Sequence, residues 1–160
     1  MTGRFLLVFV RLEAKVVKPK VMVALAKMDS VESLMTLAIH LSSGMDAELI
    51  ALHVVEVPLA TPIEAEDELL DREGKEILAA ATHVAERSSK RVSTELLRSR
   101  EAGEAIAGEA KDQGVDLLIM GHHRAHPHAL GEFLLGSVVQ YVAHHAPCRV
   151  IIQIPPPKHR

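Results

Sequence analysis

Aromatic side chains are almost missing from this chain of 160 residues: Phe5, Phe9, Phe133 and Tyr141 are all it has, and tryptophan is absent. Single-stranded nucleic acid is usually held by stacking bases on aromatic platforms. Its backbone is usually tracked by a basic surface, and the net charge here is −3. Nucleic acid is therefore not an expected partner. Cysteine occurs once, as Cys148, so no internal disulfide forms, and a reducing, cytoplasmic setting is expected. The N-terminal apolar run Phe5 to Val10 is six residues long, against the roughly 20 that a membrane-spanning helix needs. No small-residue cleavage site follows it. Residues 1–19 read as an extension, an extra edge strand or a linker; 20–155 read as one domain and 156–160 as a tail.

What the chain does have is aliphatic. Its apolar fraction is 48%, enough for a core of Val, Ile, Leu, Ala and Met, and the length suits one domain. Val21 to Ala26 is a nearly all-apolar run, the mark of a strand buried on both faces. Asp29 or Ser30 is the expected cap of a helix bearing Val31, Leu34, Met35, Ala38 and Leu41 on one face, with Gly44 as its stop. Glu48 to Val55 forms a second strand, closed by Pro58 and Pro62. A long helix from about Glu64 to Ser89 is acidic first and basic last, as the helix dipole favours. A third strand spans Val92 to Leu97, a short helix Glu104 to Gln113 ends at Gly114, and a fourth strand runs from Asp116 to Met120. Leu135, Val138, Val139, Val142 and Ala146 mark a last helix that Pro147 stops, and Cys148 to Ile154 is the fifth strand. Strands alternating with helices predict a five-stranded parallel α/β sheet, helices on both faces, with right-handed crossovers.

In such a sheet ligands bind beyond the carboxyl ends of the strands, where the strand order reverses. That places Leu25, Ala26 and Lys27, the segment Val54 to Val57, and Met120, Gly121 and His122 around one crevice. Gly136-Ser137, directly before the last helix, has two readings. It is a phosphate cradle, in which glycine admits an anion to the free amides and the serine hydroxyl, or it is simply a helix cap.

Three stretches decide the matter of kinship. Leu117-Leu-Ile-Met-Gly121, Glu132-Phe-Leu-Leu-Gly-Ser-Val138 and His145-Ala-Pro-Cys-Arg-Val-Ile-Ile152 resemble the C-terminal signature of the universal stress protein family. The resemblance covers Lys20 to Pro155. It implies a Rossmann-like fold of the adenine nucleotide alpha hydrolase type and a regulatory domain binding ATP or AMP, with no metal required. In that reading Leu25, Ala26 and Val55 wall the base, and Gly121, Arg124, Gly136, Ser137 and Val138 face the phosphates. Lys27, Met120 and His122 border the same crevice. The resemblance also implies a homodimer through Arg149 to Ile154, whose apolar edge suits strand pairing. Val23 to Ala26, Ala51 to Pro58 and Thr61-Pro62 further resemble stress-protein-type domains attached to bacterial amino-acid transporters, which makes a membrane-transporter partner a further expectation.

The sequence departs from the family pattern at three places. Ala26 stands where ATP-binding members carry an Asp for the nucleoside. Arg124 stands for the second loop glycine, although its guanidinium matches phosphate oxygens. The spacer Ala125 to Leu135 holds eleven residues instead of nine. These departures keep open a nucleotide-free interaction domain and a cyclic-dinucleotide receptor. No enzyme is expected: Ser137 has no evident base partner and no G-x-S-x-G elbow, so a phosphate-holding site permits at most slow ATP hydrolysis. His122, His123, His126, His128, His144 and His145 lie near the C-terminus without the companions of a zinc site.

Overall fold

The computed structural model describes residues 17–65, 68–122 and 135–155. The elements in chain order are β1 (Lys20–Ala24), α1 (Met28–Met45), β2 (Glu48–Glu56), α2 (Glu68–Arg87), β3 (Ser93–Ser99), α3 (Ala102–Asp112), β4 (Leu117–Gly121), α4 (Ser137–His145) and β5 (Arg149–Gln153). All four strand pairings are parallel, in the order β3-β2-β1-β4-β5. A helix joining two parallel strands must run back against them, so each helix N-terminus lies at the carboxyl rim of the sheet.

Alternation along the central strands divides the core into two layers. Val21 and Val23 of β1, Leu49 and Ala51 of β2, and Leu117 and Ile119 of β4 pack under α1 and α2. Met22 and Ala24, Ile50 and Leu52, and Leu118 and Met120 pack under α3 and α4. β1 is buried on both sides, which is why its sequence reads as an unbroken apolar run. α2 meets its layer through Ile77, Leu78, Ala81, Val84 and Ala85, the one stripe a helical period provides. On the other layer α3 and α4 approach closely at Gly103, where a Cβ would lie 2.9 Å from Cβ of Tyr141.

Several boundaries differ from the sequence expectation, each for a tertiary reason. The N-cap of α1 is Lys27, not Asp29 or Ser30. The Ser30 hydroxyl donates to the Lys27 carbonyl (2.9 Å) and does not accept from the helix. Gly44 lies within the last turn of α1; the left-handed stop is Asp46 (φ 49°), followed by Ala47 N–H donating to Ser42 O at 2.9 Å. Asp is one of the few side chains that tolerates this conformation. α2 begins at Glu68, not Glu64, because Ile63 and Ala65 turn to offer their carbonyls to Arg98. β3 runs to Ser99 because Arg98 and Ser99 pair with Val55 and Glu56. Leu135 precedes α4 and packs on the α3–α4 layer from outside the helix.

Candidate functional site

The strand order reverses between β1 and β4, whose ends are aligned at Ala24 and Met120. From there α1 departs to one face and α4 packs on the other, opening the crevice that such sheets use for ligands. This adjacency brings Leu25, Ala26 and Lys27 beside Met120, Gly121 and His122. Ala26 and Lys27 are exposed, whereas the Leu25 side chain is buried in the α1–α2 layer. Met120 is buried in the opposite layer. Gly121 backs onto α1: a Cβ there would lie 3.3 Å from Cδ1 of Leu34. His122 is buried, and its backbone N–H donates to Gln153 O at 2.9 Å, carrying the β4–β5 pairing past Gly121. Val55 is buried near the end of β2, while its neighbour Val54 packs with the α3–α4 layer. Gly136 and Ser137 are exposed at the start of α4, and Val138 is half-buried. Arg124, with His123, His126 and His128, lies outside the described residues.

The N-termini of α3 and α4 differ in what satisfies them. The Glu56 carboxylate, at the end of β2, accepts from Ala102 N–H at the start of α3 (3.2 Å), and the Ser99 hydroxyl accepts from Glu101 N–H (3.2 Å). At α4 the N-cap Gly136 is extended (φ −62°, ψ 158°), no side chain among the described residues caps it and the first turn holds no acid. Free amides and the positive end of the helix dipole together favour an anion. The α4 entrance therefore has the chemistry to receive phosphate, and α3 already holds a carboxylate of its own.

Two features at the same rim have no obvious sequence signal. Arg98 Nη1 donates to both carboxylate oxygens of Asp71 (2.7 and 2.8 Å), while Nε donates to Ile63 O at 3.0 Å and Nη2 to Ala65 O. Arg100 donates to Val57 O at 3.0 Å and to Pro58 O. The two arginines thus fasten the connection from β2 to α2. His53 of β2, which reads as one more alternating strand residue, is buried, and its Nδ1 lies 2.7 Å from the Leu25 carbonyl oxygen. A carbonyl only accepts, so Nδ1 carries the proton. The ring sits against Gly74 of α2, where a Cβ would come within 2.8 Å of its Cδ2. Alternating patterns reveal which face a residue occupies, but not which carbonyl it meets.

Among the described residues no group of three or more His, Cys, Asp or Glu side chains converges as a metal site. His144 and His145 are exposed in the last turn of α4, where His145 Nδ1 bonds the Tyr141 carbonyl (2.8 Å) and its ring stacks on Tyr141. Cys148 lies at the opposite rim, just before β5; burial pushes its thiol pKa up. No helix among the described residues is long and apolar enough to cross a membrane.

Comparison with known proteins agrees with this fold. A universal stress protein of Methanocaldococcus jannaschii is 34% identical, over 76% of this chain and 73% of that protein. A universal stress protein from Archaeoglobus fulgidus, solved in complex with dAMP, superposes with a TM-score of 0.65 at 19% identity, covering 85% of this chain and 97% of that one. Another universal stress protein, solved in complex with cAMP, gives a TM-score of 0.61 at 20% identity, covering 84% and 94%. At these identities the two structural likenesses are of fold. The profile of the universal stress protein family matches residues 19–153, and with the relative in Methanocaldococcus it shows that this chain belongs to the universal stress protein family.

Proposed function

We propose that the protein is a regulatory domain that binds an adenine nucleotide between the ends of β1 and β4 and the start of α4. The observation that carries this reading is the α4 entrance: a helix start with no capping side chain or carboxylate among the described residues, beside the point where the strand order reverses. Gly136, Ser137 and Val138 would face the phosphates, with Gly121 and Arg124. The segment Leu25 to Lys27 and the end of β2 at Val55 would border the base, with Met120 and His122 opposite. The dAMP and cAMP complexes of two fold relatives support a nucleotide of this class. ATP and AMP are the proposed ligands; turnover is not part of the proposal. Mass spectrometry of freshly purified, denatured protein for carried nucleotide, with thermal shift in millimolar ATP, tests it. Recovered nucleotide or a clear stabilisation is the expected result. Neither carried nucleotide nor any shift would overturn it.

One observation favours the second reading, an interaction domain without nucleotide. Ala26 is exposed at the crevice and offers no side-chain acceptor to a nucleoside. The blank result above would promote it, with a membrane transporter as one candidate partner. Saturable binding of a cyclic dinucleotide in place of ATP would redirect the ligand instead. In either reading we propose a cytoplasmic homodimer through β5, an edge strand whose Val150, Ile151 and Ile152 are only partly covered. A sedimentation experiment returning a stable monomer at micromolar concentration would rule that assembly out.

A further inference from the structure

The crevice lacks an acceptor at Ala26, yet the backbone there is held in a defined way. The regular pairing of β1 with β2 ends at Ala24 and Leu52. One residue further, Leu25 N–H donates to Leu52 O (2.8 Å), and the Leu25 carbonyl accepts from His53 Nδ1 (2.7 Å). Both polar groups of Leu25 are thus directed towards β2, the second by an imidazole beyond the last regular rung. A trans peptide is planar, with its C=O and N–H pointing in opposite directions. Fixing the Leu25 carbonyl on His53 therefore turns Ala26 N–H away from β2, towards the side where β4 lies. That N–H has no hydrogen-bond partner in the protein among the described residues, and Ala26 is exposed. The imidazole is itself constrained, because Gly74 leaves room for the ring where any side chain would meet it.

We infer that His53 is a positioning residue, which aims Ala26 N–H into the crevice as a main-chain donor to an acceptor atom on the ligand. The site would address its nucleoside by donating from the backbone where a side-chain carboxylate would accept. The inference rests on the nucleotide reading above only for the identity of the ligand; the peptide orientation stands without it.

The test uses the full chain, with ATP as the probe. Asn at position 53 places its amide nitrogen close to where Nδ1 lies and keeps the donor; Leu removes it. Calorimetry should give His53→Leu an ATP affinity about tenfold weaker than wild type, the size of one well-placed hydrogen bond. His53→Asn should restore most of it, a rescue that a merely space-filling histidine would not show. Equal affinity of His53→Leu and wild type overturns the inference. If wild type does not bind ATP, the nucleotide reading fails and the orientation is judged without ligand. His53→Leu should then move the Ala26 amide resonance and His53→Asn return it, and an unmoved resonance overturns the inference. Should His53→Leu fail to fold, long-range nitrogen spectra of the wild-type histidines decide. A proton on His53 Nδ1 is expected, and a ring protonated on Nε2 alone overturns it.

Discussion

The entrances of α3 and α4 share a rim and a core layer, yet one is closed and the other open. On the β2–β3 side the protein supplies its own partners: Glu56 to α3, Arg98 to Asp71 and two loop carbonyls, Arg100 to two more. On the β4–β5 side, α4 starts with Gly136 and no capping side chain among the described residues. The fold alone provides a helix start behind each of β1 to β4, so the dipole cannot say which one binds a ligand. The difference lies in acceptors: α3 has the Glu56 carboxylate, the Ser99 hydroxyl and Glu104 in its first turn, and α4 has no counterpart to these among the described residues.

The comparison can be broken most severely by copying the closed arrangement onto the open one. Ser137→Glu would place a carboxylate in the first turn of α4. We predict that ATP affinity falls about a hundredfold, from the lost charge-assisted bonds and the added like charge. The fold itself should be retained or slightly stabilised by the dipole. A dissociation constant within threefold of wild type would show that the α4 entrance is not the phosphate site.

Arg98→Met attacks the closed side. The Arg98–Asp71 pair is about one-fifth exposed (21% and 18%), so the cost lies below the 3–5 kcal/mol of a fully buried pair. About 2 kcal/mol is expected, because Asp71 and two carbonyls lose their donor. The urea midpoint reads it, and an unchanged midpoint would make the clasp ornamental. Glu56→Ala sharpens the contrast by opening α3. Loss of a cap costs about 1 kcal/mol, and the Ala102 amide should then respond to added phosphate in nitrogen-resolved spectra, as it should not in wild type.

The smallest effect lies at the far rim, under the end of α4. Burial raises the Cys148 pKa, helped weakly by the Asp116 charge and opposed by a hydrogen bond with the Leu118 backbone. Alkylation should therefore need a higher pH than a free thiol does. The sign for stability follows from linkage. The folded state holds the thiol proton more tightly, so its contribution is complete below the unfolded pKa and fades as pH rises through the folded value. A reactivity midpoint at or below that of free cysteine would contradict this.

The sequence carried the order of the nine elements among the described residues, because strands buried on both faces leave unbroken runs and helices leave stripes. It was weaker wherever the chain's ends meet other elements. Asp29 and Ser30 have the chemistry of caps, but the chain leaves β2 after Leu25 and α1 begins at Met28, with Lys27 as its N-cap. Gly44 suits a helix stop, yet the chain turns two residues later, at Asp46. For the candidate site, Gly136 and Ser137 were visible as a Gly-Ser pair before an apolar face, and Gly121 as a strand end. Glu56 and His53 were not, since their partners, Ala102 and Leu25, are 46 and 28 residues away in sequence. No local pattern encodes such a pairing.

The clasp of Glu56 on α3 also bears on how the chain opens and closes in time. The passage from β3 to β4 skips β2 and β1, so α3 is seated by contacts remote in sequence. Closing a loop of 46 residues for one hydrogen bond costs entropy that neighbouring pairings must first offset. The β2–β3 register sets Glu56 opposite Ser99, three residues before Ala102, so pairing these strands shortens the loop the bond must close. The first turn of α3 is therefore expected to form late in folding and to open early. Its amides should exchange with solvent well before those of β1, which the sheet protects from both sides.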